Sequence, residues 1–299
     1  MGAMLIRGCP VCSERNAAPY LRKGDLELVQ CAACSMIFAS PVAEEMASGS
    51  FYDRAGHEYL SPEKLESDYT DVRYERELRL FRGWCQSGSV LDVGCSSGAF
   101  LYQLNRRHPG SYRVCGTDVS GPPLDYAERM GISVIRGSFL THRFEEAYDA
   151  VTFWAVMEHL SEPARFREKA LSILKPGGLC FILVPNMRSL AVRVLGAKYR
   201  YIYAEHLNYF TPTTLRSFAN PFRVLMCKST HFNPLVIWKD FRAGIREVPR
   251  AERSQLLKRT TAWKKSAWTR PLKLCYRGVE AVLGATLLAD NLVVVCRKP

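Results

Sequence analysis

The run Val90-Leu91-Asp92-Val93-Gly94-Cys95-Ser96-Ser97-Gly98-Ala99-Phe100, followed by Val114-Cys115-Gly116-Thr117-Asp118-Val119-Ser120, decides how this chain is read. The residues ahead of Gly94 suit a buried strand, Gly94 to Gly98 a tight turn, and the residues after it a helix. The second run reads as another strand, closed by a carboxylate twenty positions past Gly98. Such a unit brings bare backbone against a nucleoside-containing ligand and lets Asp118 accept hydrogen bonds from ribose hydroxyls. Gly94-x-Ser96-x-Gly98 lacks the third, later glycine of a dinucleotide-phosphate fingerprint, so the expected ligand is not a dinucleotide. The competing reading is an ordinary strand-turn-helix that only packs small residues.

At 299 residues the chain has room for one large α/β domain and a small accessory module. Its 47% hydrophobic content suffices for a core. No apolar run approaches the roughly 18 residues a membrane span needs, and Met1 to Pro10 lacks a secretion-type apolar segment, so the expected location is the cytoplasm. The 11 cysteines make an odd count. Cys95, Cys115, Cys180 and Cys296 fall in expected turns or core strands, where reduced thiols behave as small buried hydrophobes. The formal charge of +12 is uneven, because residues 239–299 hold 14 Lys or Arg against 5 Asp or Glu. With Trp263 and Trp268, that region suits nucleic acid, an anionic membrane surface or an acidic substrate; solvated faces of surface helices are the plainer reading.

Four cysteines differ from the rest. Cys9-Pro10-Val11-Cys12 and Cys31-Ala32-Ala33-Cys34 are two Cys-x-x-Cys turns separated by eighteen residues. Each spacing lets both sulfurs of a turn point at one ion, and two turns complete a tetrahedral four-thiolate shell. Four protein ligands leave no open position for water, so the expected ion is a structural zinc. Leu26-Glu27-Leu28-Val29-Gln30 alternates like a strand leading into the second turn, as in a zinc ribbon over residues 1–40. Ser35 stands where glycine often follows the second knuckle.

Asp92-x-Gly94-Cys95-x-x-Gly98 resembles motif I of class I S-adenosylmethionine-dependent methyltransferases, with Asp118 at their acidic motif II position. The resemblance spans residues 78–230 and returns at 286–299. It implies a doubly wound α/β fold, a seven-stranded, mostly parallel Rossmann-like sheet, formed by 78–234 and 286–299. It also implies S-adenosylmethionine as cofactor, held by Asp92, Gly94, Cys95, Ser96, Gly98, Asp118, Val119, Ser138, Phe139, Trp154 and Glu158. Ser96 stands where many members carry a second glycine, and Ser138 where related enzymes often carry an adenine-binding aspartate. Residues 41–77 read as a linker and cofactor-covering helical segment, with helical spacing from Ser67 to Trp84. Tyr69 and Tyr74 are candidates to cover the cofactor's methionine end or simply to pack.

Tyr148 to Trp154 reads as the fourth strand, and open parallel sheets bind ligands at the carboxyl ends of their strands. That places Trp154, Glu158 and His159 by the transferred methyl or just behind it. Lys175-Pro176-Gly177-Gly178 before the fifth strand is another family hallmark. The fourth strand carries neither the Asn or Asp with Pro-Pro-aromatic of exocyclic-nitrogen base methylation nor the Pro-Cys of pyrimidine-carbon methylation.

Tyr201-Ile202-Tyr203-Ala204-Glu205-His206-Leu207-Asn208-Tyr209-Phe210-Thr211-Pro212 is too aromatic and too polar at once for plain core. It is similar to the substrate-facing segment of zinc-ribbon-bearing sugar C-methyltransferases. The resemblance implies that Tyr203 and Glu205 with His206 serve substrate binding and proton removal, and that Asn186 contacts substrate. Those proteins are longer and carry a further C-terminal domain that this sequence does not show; here a basic helical insertion is expected at 235–285, with Pro249 and Pro271 as breaks. His206 reads either as the base or as the anchor of its loop.

The function implied is in-line methyl transfer to a small-molecule acceptor, a sugar or other natural-product hydroxyl or carbon, with His206 as base and Glu205 as its partner. Such a displacement needs orientation and a dry pocket and does not require a metal. An RNA-modifying methyltransferase that binds RNA through the ribbon and the basic C-terminal region is the alternative. A cofactor-binding, non-catalytic interaction protein is a third reading. No transmembrane segment is expected, while peripheral membrane contact through 235–285 is open.

Overall fold

The computed structural model describes residues 4–245, 248–265 and 270–299. Trp268 and the side chain of Trp263 lie outside the described residues.

Short strands open the chain: β1 (Met4–Leu5), β2 (Ala17–Lys23), β3 (Leu26–Cys31), β4 (Ile37–Ala39) and β5 (Val42–Ala43). Helices α1 (Glu44–Ser48), α2 (Ser50–Arg54), α3 (Pro62–Asp68) and α4 (Glu75–Trp84) follow. Strands and helices then alternate as β6 (Gly88–Val93), α5 (Ala99–Arg107), β7 (Tyr112–Asp118), α6 (Gly121–Arg129), β8 (Ser133–Arg136), β9 (Tyr148–Trp154), α7 (Pro163–Ile173) and β10 (Leu174–Pro185). The remainder is α8 (Leu190–Leu195), β11 (Asn208–Tyr209), α9 (Pro212–Phe218), β12 (Arg223–Thr230), α10 (Pro234–Ala243), α11 (Arg250–Lys265), α12 (Arg270–Ala285) and β13 (Asn291–Arg297).

Seven strands form the main sheet in the order β12-β13-β10-β9-β6-β7-β8. The β13 strand runs antiparallel to β10 and β12, and the other pairs are parallel. The order turns back at β6, whose neighbours are β7 on one side and β9 on the other, so the crevice above these carboxyl ends is the switch point where open α/β sheets bind ligands.

Strand residues alternate between two apolar layers because successive side chains point to opposite faces. Cys180, Ile182 and Val184 of β10 meet α7, α9 and the cysteine-rich hairpins through Ile173, Phe218, Met36 and Phe38. Leu179 and Phe181 face α4 and α5, where Leu78, Phe81, Phe100 and Leu104 lie. Phe81 is wholly buried, with ring centroids 4.9 Å from Phe181, 5.7 Å from Tyr112 and 5.9 Å from Phe100. Aromatic pairs at such separations contribute about 0.5–1.5 kcal/mol each beyond their area burial.

The helical spacing read from Ser67 to Trp84 does not give one helix. The α3 helix ends at Asp68, whose buried carboxylate accepts from Lys64 at 2.5 Å and from Arg73 at 3.2 Å, and α4 begins only at Glu75. The ion pair from Arg73 back to Asp68 bends the chain through a turn that helical continuation would open. Within 41–61, α1, α2 and a 3-10 turn at Gly56–Leu60 replace plain linker.

A second sheet, ordered β11-β4-β3-β2, joins the N-terminal hairpins to a strand far along the chain, with Asn208 opposite Phe38 and Tyr209 opposite Ile37. Helices α10 to α12 lie between β12 and β13. Their first anchor is Arg200, whose Nε and Nη2 donate to Asp240 Oδ1 at 2.8 and 2.6 Å, while its amide donates to Oδ2 at 2.9 Å. Both side chains are only 1% exposed. At the far end Arg76 of α4 pairs with Glu280 of α12.

Candidate active site

The turn after β6 holds three residues in the left-handed region, Gly94 (φ 71°), Ser96 (φ 51°) and Gly98 (φ 74°). A Cβ on Gly94 would fall 2.6 Å from Val156 Cγ2, and one on Gly98 2.9 Å from Ala127 Cβ, so both positions require glycine. Asp118, at the end of β7, accepts from the Ser96 amide through Oδ2 at 2.9 Å and from the Ser120 amide through Oδ1 at 3.0 Å. The acid expected to meet a ribose therefore also holds the loop in shape. Burial pushes its carboxyl above the ordinary value, against the pull of those amides.

Polar groups without protein partners collect around this loop. Among the described residues no side chain caps α5 at Gly98, which suits its first-turn amides to an acceptor-rich ligand. The buried hydroxyls of Ser96, Thr117 and Ser120 have no hydrogen-bond partner among the described residues. Buried polar atoms are normally satisfied, so a group of them beside a glycine turn fits a bound polar molecule such as a nucleoside. Tyr69 lies over the loop, its hydroxyl donating to the Ser97 carbonyl. Tyr74 instead packs, 5.9 Å from Phe100 and 4.8 Å from the Arg73 guanidinium.

The other residues expected at the cofactor divide by placement. Asp92 is buried, accepts from Thr152 Oγ1 at 2.6 Å, and is pushed by burial up to about 7. Cys95 is buried against Gly116, and Val119 is exposed. Ser138 is exposed and its carbonyl accepts the Thr141 and His142 amides, whereas Phe139 is stacked on Phe166 in the core. The Trp154 ring lies 5.1 Å from Phe100 and 6.2 Å from Phe181, with its buried Nε1 lacking a partner among the described residues. Beside Trp154 opens a groove of about 590 Å³ between α4, α12 and the sheet face, lined in part by Arg73, Glu77, Met226, His231 and Tyr276.

A second cluster forms where the loop after β9 meets the segment 199–210. The Glu158 carbonyl accepts from the Leu207 and Asn208 amides at 2.7 and 2.9 Å. Asn208 Nδ2 donates to the Met157 and Leu160 carbonyls, both at 2.7 Å. These bonds bring the donor atoms of Glu158, His159 and His206 within 4.8 Å of one another. His206 is buried, with Nδ1 2.9 Å from the Tyr201 carbonyl. A carbonyl only accepts, so Nδ1 carries the proton and Nε2 keeps its lone pair in the neutral ring. The His206 ring lies 4.3 Å from Tyr203 and 4.7 Å from His159.

Glu205 is buried, accepts from Tyr59 through Oε2 at 3.4 Å, and presents its carbonyl to His159 Nδ1 at 2.9 Å. Tyr52 also reaches His159 Nδ1, at 2.8 Å. Sequence reasoning did not assign Tyr52 and Tyr59 a role, although aromatic residues crowded into a turn-rich stretch were their signal. Glu158 is 1% exposed and its Oε2 has no partner among the described residues; burial pushes it up to about 8, which leaves it mainly neutral at pH 7. Asn186, expected at the substrate, has its amide committed to the main chain. Its Nδ2 donates to the Leu287 and Ala289 carbonyls, and its Oδ1 accepts from the Arg188 amide.

The sulfurs of Cys9, Cys12, Cys31 and Cys34 lie within 4.8 Å of one another, with Cys9–Cys34 at 3.4 Å and Cys12–Cys31 at 3.5 Å. Ser13 and Ser35 take up the left-handed conformation after each knuckle, at φ 63° and 61°, so serine replaces the usual glycine without breaking the turn. A tetrahedral site with metal–sulfur bonds of about 2.3 Å separates its sulfurs by about 3.8 Å, close to what these hairpins present. Arg7 ties the hairpins to the second cluster, donating to the Ser161 and Leu207 carbonyls and to Asn208 Oδ1.

The profile of a methyltransferase-domain family matches residues 65–220. The ubiquinone biosynthesis O-methyltransferase of Shewanella pealeana is 32% identical over 120 residues, 37% of this chain and 50% of that protein. The namesake from Paraburkholderia xenovorans is 30% identical over 164 residues, 49% of this chain and 69% of that protein. The chain thus spans about half the length of the first relative. A Thermotoga maritima structure described as an S-adenosylmethionine-dependent methyltransferase, possibly acting on histamine nitrogen, superposes with a TM-score of 0.54 at 16% identity. That superposition covers 84% of this chain and 99% of the other, and shows a shared fold. With more than half of its length matched, the chain belongs to the methyltransferase-domain family.

Proposed function

We propose that this enzyme methylates a hydroxyl or carbon of a small molecule, a sugar or another natural product, with His206 as the base. The observation that carries the reading is the His206 ring itself. Tyr201 fixes its tautomer, the Tyr203 and His159 rings pack on it, and the cluster follows β9, whose next loop packs Val156 against Gly94. When bound, S-adenosylmethionine supplies an electrophilic methyl group. The residues suited to hold it are Gly94, Ser96, Gly98 and Asp118, with Tyr69 as cover. The chain's own work is to orient the acceptor, exclude water and accept a proton at His206 Nε2.

Four thiolates at the observed spacing support a structural zinc in the N-terminal hairpins. The second sheet gives that ion a purpose, since β4 pairs with β11 immediately after His206. The ribbon is in this reading a brace for the catalytic segment. The deciding experiment offers a labelled methyl donor with the enzyme to cell extract and separates small molecules, RNA and protein. Label is expected in the small-molecule fraction; label in RNA would replace this reading with an RNA-modifying one.

A further inference from the structure

We propose that the outer face of α10, with the adjoining end of α8, docks on an anionic lipid bilayer surface. The inner face of α10 is spoken for by buried Val236 and by Asp240 on Arg200. The outer face carries Leu235, Trp238 and Phe241, with Ile245 just beyond the helix, each more than half exposed. Their spacing of three, three and four residues draws one stripe along the helix. Val194 of α8, also more than half exposed, extends the apolar surface. Isolated exposed apolar residues are ordinary; a stripe of this kind marks a site of contact.

The charges around the stripe identify the occupant. Lys198 Nζ lies 5.0 Å from the Phe241 ring and the Arg242 guanidinium 5.0 Å from the Trp238 ring. Lys239, Arg188 and Arg193 stand on the same elements or next to them. Among the described carboxylates of 235–285, Asp240 and Glu252 turn toward Arg200 and Glu280 pairs with Arg76 at the far end. Over residues 235–285 the sequence holds twelve Lys or Arg against four Asp or Glu. Tryptophan and phenylalanine flanked by long basic side chains suit the interface of an anionic bilayer, where rings enter the headgroup boundary and cations stay with the phosphates.

A second copy fits less well, because a two-fold contact would set these cations against themselves. Nucleic acid would leave Leu235, Ile245 and Val194 without a counterpart. The Arg200–Asp240 bridge holds α10 to the body of the protein, so the stripe is presented on a firm mount.

Sedimentation with phosphatidylcholine vesicles, with and without phosphatidylglycerol, tests the proposal on the full chain. Binding is expected on the anionic vesicles and to weaken with added salt. The pair Lys239→Gln and Arg242→Gln should lose about thirtyfold in partitioning, at about one surface cation's worth of attraction each. The pair Trp238→Ser and Phe241→Ser should lose about tenfold or more. Unchanged affinity for S-adenosylhomocysteine certifies the fold of each variant; should one fail to fold, Leu235→Ser with Ile245→Ser takes its place. Equal partitioning by the parent and the aromatic variant would overturn the proposal. So would a parent dimer that the aromatic variant dissolves, with no vesicle binding by either.

Discussion

Replacing Glu158 with glutamine removes a titrating proton from the most buried carboxyl of the cluster it forms with His159 and His206 and leaves its shape. Burial raises this carboxyl from the ordinary 4.5 to about 8. A carboxyl raised that far corresponds to roughly 5 kcal/mol, and local relaxation brings the expected effect to about 3–5 kcal/mol. The sign follows from which state holds the proton. The folded protein keeps it and the unfolded chain releases it, so the contribution is full below about pH 4.5, declines as pH rises, and is gone above about pH 8. Urea unfolding at pH 5 and pH 9 should find Glu158→Gln close to the parent in acid and more stable by about 3–5 kcal/mol in base. Asp92 and Asp290, both pushed up to about 7, give the parent the same downward slope, and comparison at each pH cancels them. Repeating the comparison with His159→Gln separates the imidazole 4.0 Å away from the effect of burial. A difference that does not change between pH 5 and pH 9 would refute the buried, neutral acid.

His206→Ala should lower methyl transfer by about a hundredfold or more while calorimetry with S-adenosylhomocysteine finds its affinity nearly unchanged; a comparable loss of cofactor binding would defeat its role as base. Asp118→Ala frees the Ser96 and Ser120 amides and should weaken that same affinity by about tenfold or more, with a smaller change in thermal stability. Gly94→Ala forces a Cβ to within 2.6 Å of Val156 Cγ2 at a positive φ, and should cost about 1–3 kcal/mol in chemical unfolding. Cys12→Ser should abolish the one zinc per chain expected by elemental analysis and reduce turnover more than cofactor affinity; zinc-free protein with full turnover would remove the brace.

The parts of this protein that were legible in the sequence rest on local rules. Gly94 and Gly98 announce left-handed backbone whatever surrounds them, and Asp118 closes a strand that the apolar run before it already defines. The four cysteines need only their own spacing to come within reach of one ion. Where a residue's surroundings decide, the reading changed. Ser67 to Trp84 has helical spacing throughout, yet Arg73 and Lys64 meet on Asp68 and the helix breaks there. Asn186 follows a strand at the reactive edge, yet the carbonyls of Leu287 and Ala289, about a hundred positions on, take its amide. Tyr52 and Tyr59 meet His159 and Glu205 only because the approach segment folds back over them.

Nothing near Cys34 in the sequence hints that the strand after it will pair with residues beside His206. Yet the pairing of Ile37 and Phe38 with Tyr209 and Asn208, the Glu158 carbonyl and Arg7 all converge on residues 207–209, directly after His206. A loop bearing a proton acceptor gains little from a correct side chain unless its backbone is held, since small displacements cost large factors in rate. The N-terminal hairpins supply that hold from outside the family-matched region, residues 65–220. On the proposed reading, the four-cysteine hairpins and the His206 segment, separable as motifs, are therefore coupled through one small sheet.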